Sequence, residues 1–148
     1  MSHKILEAFQ IYSIKIWISL IMDYKKILKR LYKPEVGSIW KAPNSIWKNS
    51  FAMNKSPKEI HPSIIEKLKQ DGVSVQLTPG TTKEYQKGCC VFKVDLRENG
   101  KCSYFLLKLS MPYIIDDLLD LERGWDGIDI LNEKQLIDFH WQTKMCKG

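Results

Sequence analysis

Histidine, cysteine and long apolar runs are all scarce in this 148-residue chain, and each scarcity removes a class of function. The four cysteines, Cys89, Cys90, Cys102 and Cys146, form no Cys-x-x-Cys pair, and no His-x-x-x-His accompanies them. The pattern therefore argues against a zinc site and leaves the chain read as free of metal and cofactor. The longest apolar run, Ile11 to Met22, is interrupted by Lys15 and is followed by no small-residue cleavage site, so it does not read as a signal peptide. It is also too short and too charged to span a bilayer. These absences predict a cytoplasmic protein with reduced thiols. Internal repeats and low-complexity segments are missing as well.

What is present suits a folded domain: 44% apolar residues, with 5 Trp, 6 Tyr and 5 Phe, in a length typical of one core. The net charge of +6 is unevenly spread. Residues 1–33 carry seven Lys/Arg against two acids, residues 34–114 twelve against seven, and residues 115–148 four against eight. A basic body suits a polyanion, and an acidic end can shield it; solvated lysines on an ordinary surface give the same composition.

Residues 4–32 read as an amphipathic helix that stops before Pro34. Leu6, Phe9, Ile16, Trp17, Leu20, Tyr24, Ile27, Leu28 and Leu31 share a broad face, with Lys15, Ser19, Lys26, Lys29 and Arg30 opposite. Every second residue from Tyr12 to Met22 is apolar, so a strand pattern competes inside the segment. The apolar face of such a helix serves a core or a dimer interface, and its basic side can meet a membrane surface or a nucleic acid.

From Val36 onward Gly, Pro, Asn and Ser punctuate short apolar runs, the texture of strands and turns. Residues 42–57 read as a long loop bearing Trp47 and Phe51 among lysines, which suits stacking on unpaired bases or pinning the loop to the core. Val73, Val75 and Leu77 alternate with polar residues as a half-buried strand. Residues 90–97 and 102–109 flank Asn99-Gly100, the signature of a type I′ hairpin. That turn predicts Phe92 opposite Leu107, Val94 opposite Phe105 and Cys90 opposite Leu109, with Lys93, Asp95 and Arg97 on the other face. Pro112 is expected to open a helix through Leu121. A last helix follows Asn132, whose pairing with Gln135 resembles a capping box, and Leu136, Ile137, His140 and Trp141 share its face. Arg123-Gly-Trp-Asp-Gly127 reads as a structural turn anchored by Trp125. The expected fold class is α+β, mainly β: residues 1–33 as a helical extension, and residues 34–148 as a small antiparallel barrel with C-terminal helices.

Three short motifs carry a family resemblance. Val36-Gly-Ser-Ile-Trp40, His61-Pro62 before an apolar run, and Val73 through Thr82 with its Thr-Pro-Gly-Thr-Thr end resemble the core pattern of the MazF/PemK toxins over about residues 34–110. The resemblance implies an SH3-like barrel, usually a homodimer, that cuts single-stranded RNA without metal and is restrained by an antitoxin protein. It also implies a catalytic pair, an arginine before Pro and a threonine ending the next strand. By position His61 takes the place of the arginine, and Thr78 or Thr81 that of the threonine. Histidine shuttles protons but is no permanent bidentate phosphate clamp, so His61 departs from the family chemistry. Its ring, before Pro62, suits a turn or helix cap equally, and Ile60, Ile64 and Leu68 also fit a short helix.

Metal-free RNA cleavage needs a proton-transfer group beside a cationic or hydrogen-bonding clamp. His61 is the proton-transfer candidate, with an unperturbed pKa near ~6.5. Thr78 and Thr81 supply hydroxyls. Trp47, Phe51, Lys48, Thr82, Lys83 and Lys87 are the candidate RNA contacts. The competing reading is a non-catalytic barrel module that binds nucleic acid or a protein through the same surface.

Overall fold

The computed structural model describes residues 3–47, 56–83, 90–96 and 102–147. The chain divides into two compact units, residues 1–33 and residues 34–148. The first is one α-helix, α1 (His3–Leu31), of 29 residues. Helix rather than strand wins between Tyr12 and Met22 because the apolar spacing of three and four continues unbroken on both sides of that stretch.

The second unit is an antiparallel sheet of seven strands with two α-helices and two short 3₁₀ helices among the described residues. The strands are β1 (Ile39–Pro43), β2 (Ile60–Leu68), β3 (Ser74–Thr81), β4 (Val91–Asp95), β5 (Cys102–Leu106), β6 (Met111–Ile114) and β7 (Glu122–Arg123). The α-helices are α2 (Ile115–Leu118) and α3 (Glu133–Lys147). Strand order is β4-β5-β3-β2-β1-β7, with β6 also paired to β3. The sheet is open: among the described residues no ladder joins its two ends into a barrel.

Gly37 starts the sheet. Its φ of +87° lies in the left-handed region, and a Cβ there would come 2.8 Å from Leu136 Cδ1, so glycine serves both the turn and a close approach. β2 is a strand, not a short helix, because Ile39 to Pro43 pair with Ile64 to Ile60 and its other edge pairs with β3. A bulge between Ile65 and Lys67 bends it. β3 changes partner along its length, with β6 beside Ser74 to Leu77 and β5 beside Gly80 and Thr81. Thr78-Pro79-Gly80-Thr81 is therefore strand rather than the displayed turn that its composition suggests.

The hairpin register differs from expectation by two residues. Phe92 stands opposite Phe105, Val94 opposite Ser103 and Asp95 opposite Cys102. The described pairs run to Asp95 and Cys102, and Asn99-Gly100 itself lies outside the described residues. A slide of two keeps every side chain on its expected face. It also brings the Phe92 and Phe105 ring centroids to 6.5 Å and places Cys90 beside Leu107, whose N–H donates to the Cys90 carbonyl at 2.9 Å. A two-residue turn with both central φ values positive does occur, at Asp126 (+55°) and Gly127 (+84°) between Trp125 and Ile128.

Pro112 sits in edge strand β6 opposite Gln76 rather than opening a helix, a position where its missing N–H costs the ladder little. α3 begins as expected: Asn132 Oδ1 accepts from Gln135 N at 2.8 Å, and Asn132 N donates to Gln135 Oε1 at 3.0 Å. Its buried side is not the expected one. Phe139 is buried, with its ring centroid 5.3 Å from that of Phe92, and Gln135 Nε2 donates to Asp95 O at 3.2 Å. Ile137, His140 and Trp141 face outward. Cys146, one further turn pair along, is bonded to Cys90, so these cysteines form a disulfide instead of the expected free thiols. The core beneath α3 gathers Ile39, Ile64, Phe92, Val94, Leu96, Phe105, Leu107 and Leu131.

Candidate functional site

Strand pairing decides which candidate side chains can meet. His61 stands opposite Ala42, while Ser63 stands opposite both Trp40 and Pro79. Side chains alternate along a strand, so His61, Ser63, Pro79 and Thr81 share one face, and Pro62, Ile64, Thr78 and Gly80 the other. Thr78, paired with Ile64, is fully buried on the core side. The structure therefore separates Thr78 from His61 and brings Thr81 to the His61 face.

The β2–β3 ladder ends at Ser63 and Pro79. Pro62 and Pro79 have no N–H to give, and past Pro79 the described partner of β3 is β5, on the edge that β6 also pairs. Gly80 permits a close approach here, because a Cβ there would lie 2.5 Å from Phe105 Cε1 and 3.0 Å from the Pro62 carbonyl. One residue on, Thr81 stands opposite Tyr104, and Tyr104 opposite Lys93. The result is a row across three strands on one face, Thr81 of β3, Tyr104 of β5 and Lys93 of β4, with His61 on the same side of β2 but beyond the last β2–β3 pair. Lys93 Nζ lies 5.9 Å from the Tyr104 ring centroid, within cation–π reach.

Burial grades along that row. His61 and Thr81 are 5% and 3% exposed, Tyr104 is half-buried and Lys93 is exposed. His61 Nε2 lies 3.8 Å from Glu59 Oε1, an ion pair only when the ring is protonated. Thr81 Oγ1 accepts a hydrogen bond from Lys83 N at 3.2 Å. Thr82 and Lys83, just past the end of β3, are exposed. Of these groups the exposed Thr82, Lys83 and Lys93 and the half-buried Tyr104 are open to a phosphodiester or a base, whereas the His61 ring and the Thr81 hydroxyl are buried.

Other candidates fall elsewhere. Trp47 is 5% exposed, and its backbone N–H donates to Asn44 O at 3.1 Å, so its side chain is buried instead of standing out for stacking. Lys48, Phe51 and Lys87 lie outside the described residues. Among the described residues no three His, Cys, Asp or Glu side chains cluster to hold a metal ion. Tyr104 was missed by the sequence reading, although its alternation with Phe105 was a signal: if Phe105 faces the core, Tyr104 faces away. Lys93 was placed on the outer face of its hairpin but not linked to His61, because the link runs through β3 and β5.

No protein-family model matches the chain, and no curated protein matches it.

Proposed function

We propose that the protein is a MazF/PemK-like toxin with an SH3-like domain acting on single-stranded RNA, and that the face bearing His61, Thr81, Tyr104 and Lys93 is its RNA site. The observation that supports this reading is the shared face of His61 and Thr81 at the place where β2 and β3 part, with exposed Thr82 and Lys83 beside them. In the cleavage step the imidazole of His61 accepts the 2′-hydroxyl proton and the 2′-oxygen bonds to phosphorus. The bond from phosphorus to the 5′-oxygen breaks, and the imidazolium returns the proton to that oxygen, leaving a 2′,3′-cyclic phosphate and a 5′-hydroxyl. Thr81, Thr82 and Lys83 stabilise the charge that develops on phosphorus oxygens.

The near-complete burial of His61 and Thr81 favours a second reading, in which the row and its exposed rim hold RNA without cutting it. One experiment separates the two. Single-stranded RNA is incubated with protein in EDTA, and binding is followed in parallel as salt is raised. Cleavage that His61→Ala and Thr81→Ala each slow by about 100-fold or more supports the nuclease, since general acid–base groups contribute on that order. Thr78→Ala, on the core side, should leave the rate per folded molecule unchanged. Intact RNA with salt-sensitive binding supports the second reading, and neither cleavage nor binding removes both.

A further inference from the structure

We propose that α1 is an interfacial helix that lies on an anionic lipid bilayer. Phe9, Trp17, Leu20, Tyr24, Ile27 and Leu31 fall within about a third of the helix circumference at 3.6 residues per turn. All six are exposed, from 51% at Ile27 to 74% at Phe9. Lys15 and Lys26 lie on the opposite side, which also carries the exposed Ile11, Ile18 and Met22, and five Lys/Arg fall between residues 25 and 33. The only acids in residues 1–33 are Glu7 and Asp23. An exposed apolar side and an excess of cations gathered toward residues 25–33 need two different surroundings at once.

Charge and width choose the occupant. Nucleic acid satisfies the cations but leaves Phe9, Trp17 and Leu20 in water. A second copy of α1 covers apolar surface but brings cations to cations, and a paired seam uses two positions in seven, narrower than the side that runs from Ile16 and Trp17 through Leu20 and Ile21 to Tyr24. A bilayer interface takes both: acyl chains receive the apolar side, anionic headgroups meet the lysines, and Trp17 and Tyr24 are residue types suited to the boundary. Among the described residues no helix is long and apolar enough to cross a membrane, so the geometry is that of lying on the surface.

The full chain is sedimented with phosphatidylcholine vesicles, with and without phosphatidylserine. Phosphatidylserine-dependent binding that falls with salt is expected. Trp17→Asp with Leu20→Asp should abolish it, and Lys26→Glu with Lys33→Glu should weaken it by about 25-fold or more, at roughly fivefold per basic residue. Circular dichroism checks that each variant retains its helix. RNA cleavage and binding should not change, which keeps this inference separate from the RNA reading. The proposal is overturned by absence of binding to phosphatidylserine vesicles, by binding that the Trp17 and Leu20 changes leave intact, or by a lipid-free dimer that those changes dissolve.

Discussion

Gly80 shows how a residue chosen for the absence of a side chain shapes the site. Phe105 is fully buried and occupies the space a Cβ would need. Gly80→Ala must push that ring or the β2 backbone, and overpacking of this kind costs about 1–3 kcal/mol, readable as a lower urea midpoint. Asp71 works through hydrogen bonds instead. Its carboxylate accepts from Ser74 Oγ at 2.7 Å and from the N–H groups of Val73 and Ser74 at 2.9 and 3.0 Å. The Ser74 hydroxyl, then the Val73 N–H, hold its pKa below the usual carboxylate value. A depressed pKa means the contribution is present above the unfolded value, near ~3.9, and is lost as pH falls through the folded one. The difference in urea midpoint between the native protein and Asp71→Ala should hold steady from neutral pH to about pH 4 and shrink below it. His61 and Thr81 were both legible as candidates from residue type alone. Choosing Thr81 over Thr78 was not, because both precede or follow the same Pro-Gly pair and only the pairing partner of each strand position tells the two faces apart.

Elements were legible where their signals are local. The Asn132–Gln135 cap fixes where α3 begins, and Gly37 fixes where β1 begins, since each depends on groups a few residues apart. The rotation of α3 was not legible. Leu136, Ile137, His140 and Trp141 form a plausible apolar face, but the contacts that orient the helix are distant in sequence: Leu136 against Gly37, Phe139 on Phe92, and Cys146 bonded to Cys90. The two-residue slide of β4 against β5 has the same origin, because Phe92 on Phe105 and Cys90 beside Leu107 outweigh a local turn preference. The disulfide spans a sequence separation of 56. A loop of that size implies about 4 kcal/mol of stabilisation in the chain-entropy account. Cys90→Ser with Cys146→Ser, or full reduction, should therefore lower the unfolding free energy by about that amount in urea titrations. Loss far below it would mean that α3 is held by Phe139 and Gln135 alone.

The whole molecule combines two units with different surfaces, an apolar and basic helix and a sheet domain bearing the proposed RNA site. A chain beginning at Pro34 should keep salt-sensitive RNA binding and lose binding to phosphatidylserine vesicles. Retention of vesicle binding by that shorter chain would place the lipid surface on the sheet domain. The apolar periodicity of α1, the uneven charge, the strand-rich body and the starts of β1 and α3 can all be read along the chain, because each arises between neighbours and needs no knowledge of the fold. Which threonine accompanies His61, that Tyr104 and Lys93 extend the same row, and that Cys90 meets Cys146 depend on strands brought together from far apart. Such contacts are settled by the packing of Phe92, Phe105 and Phe139 into one core, a collective balance of excluded volume and burial that no local stretch of sequence contains.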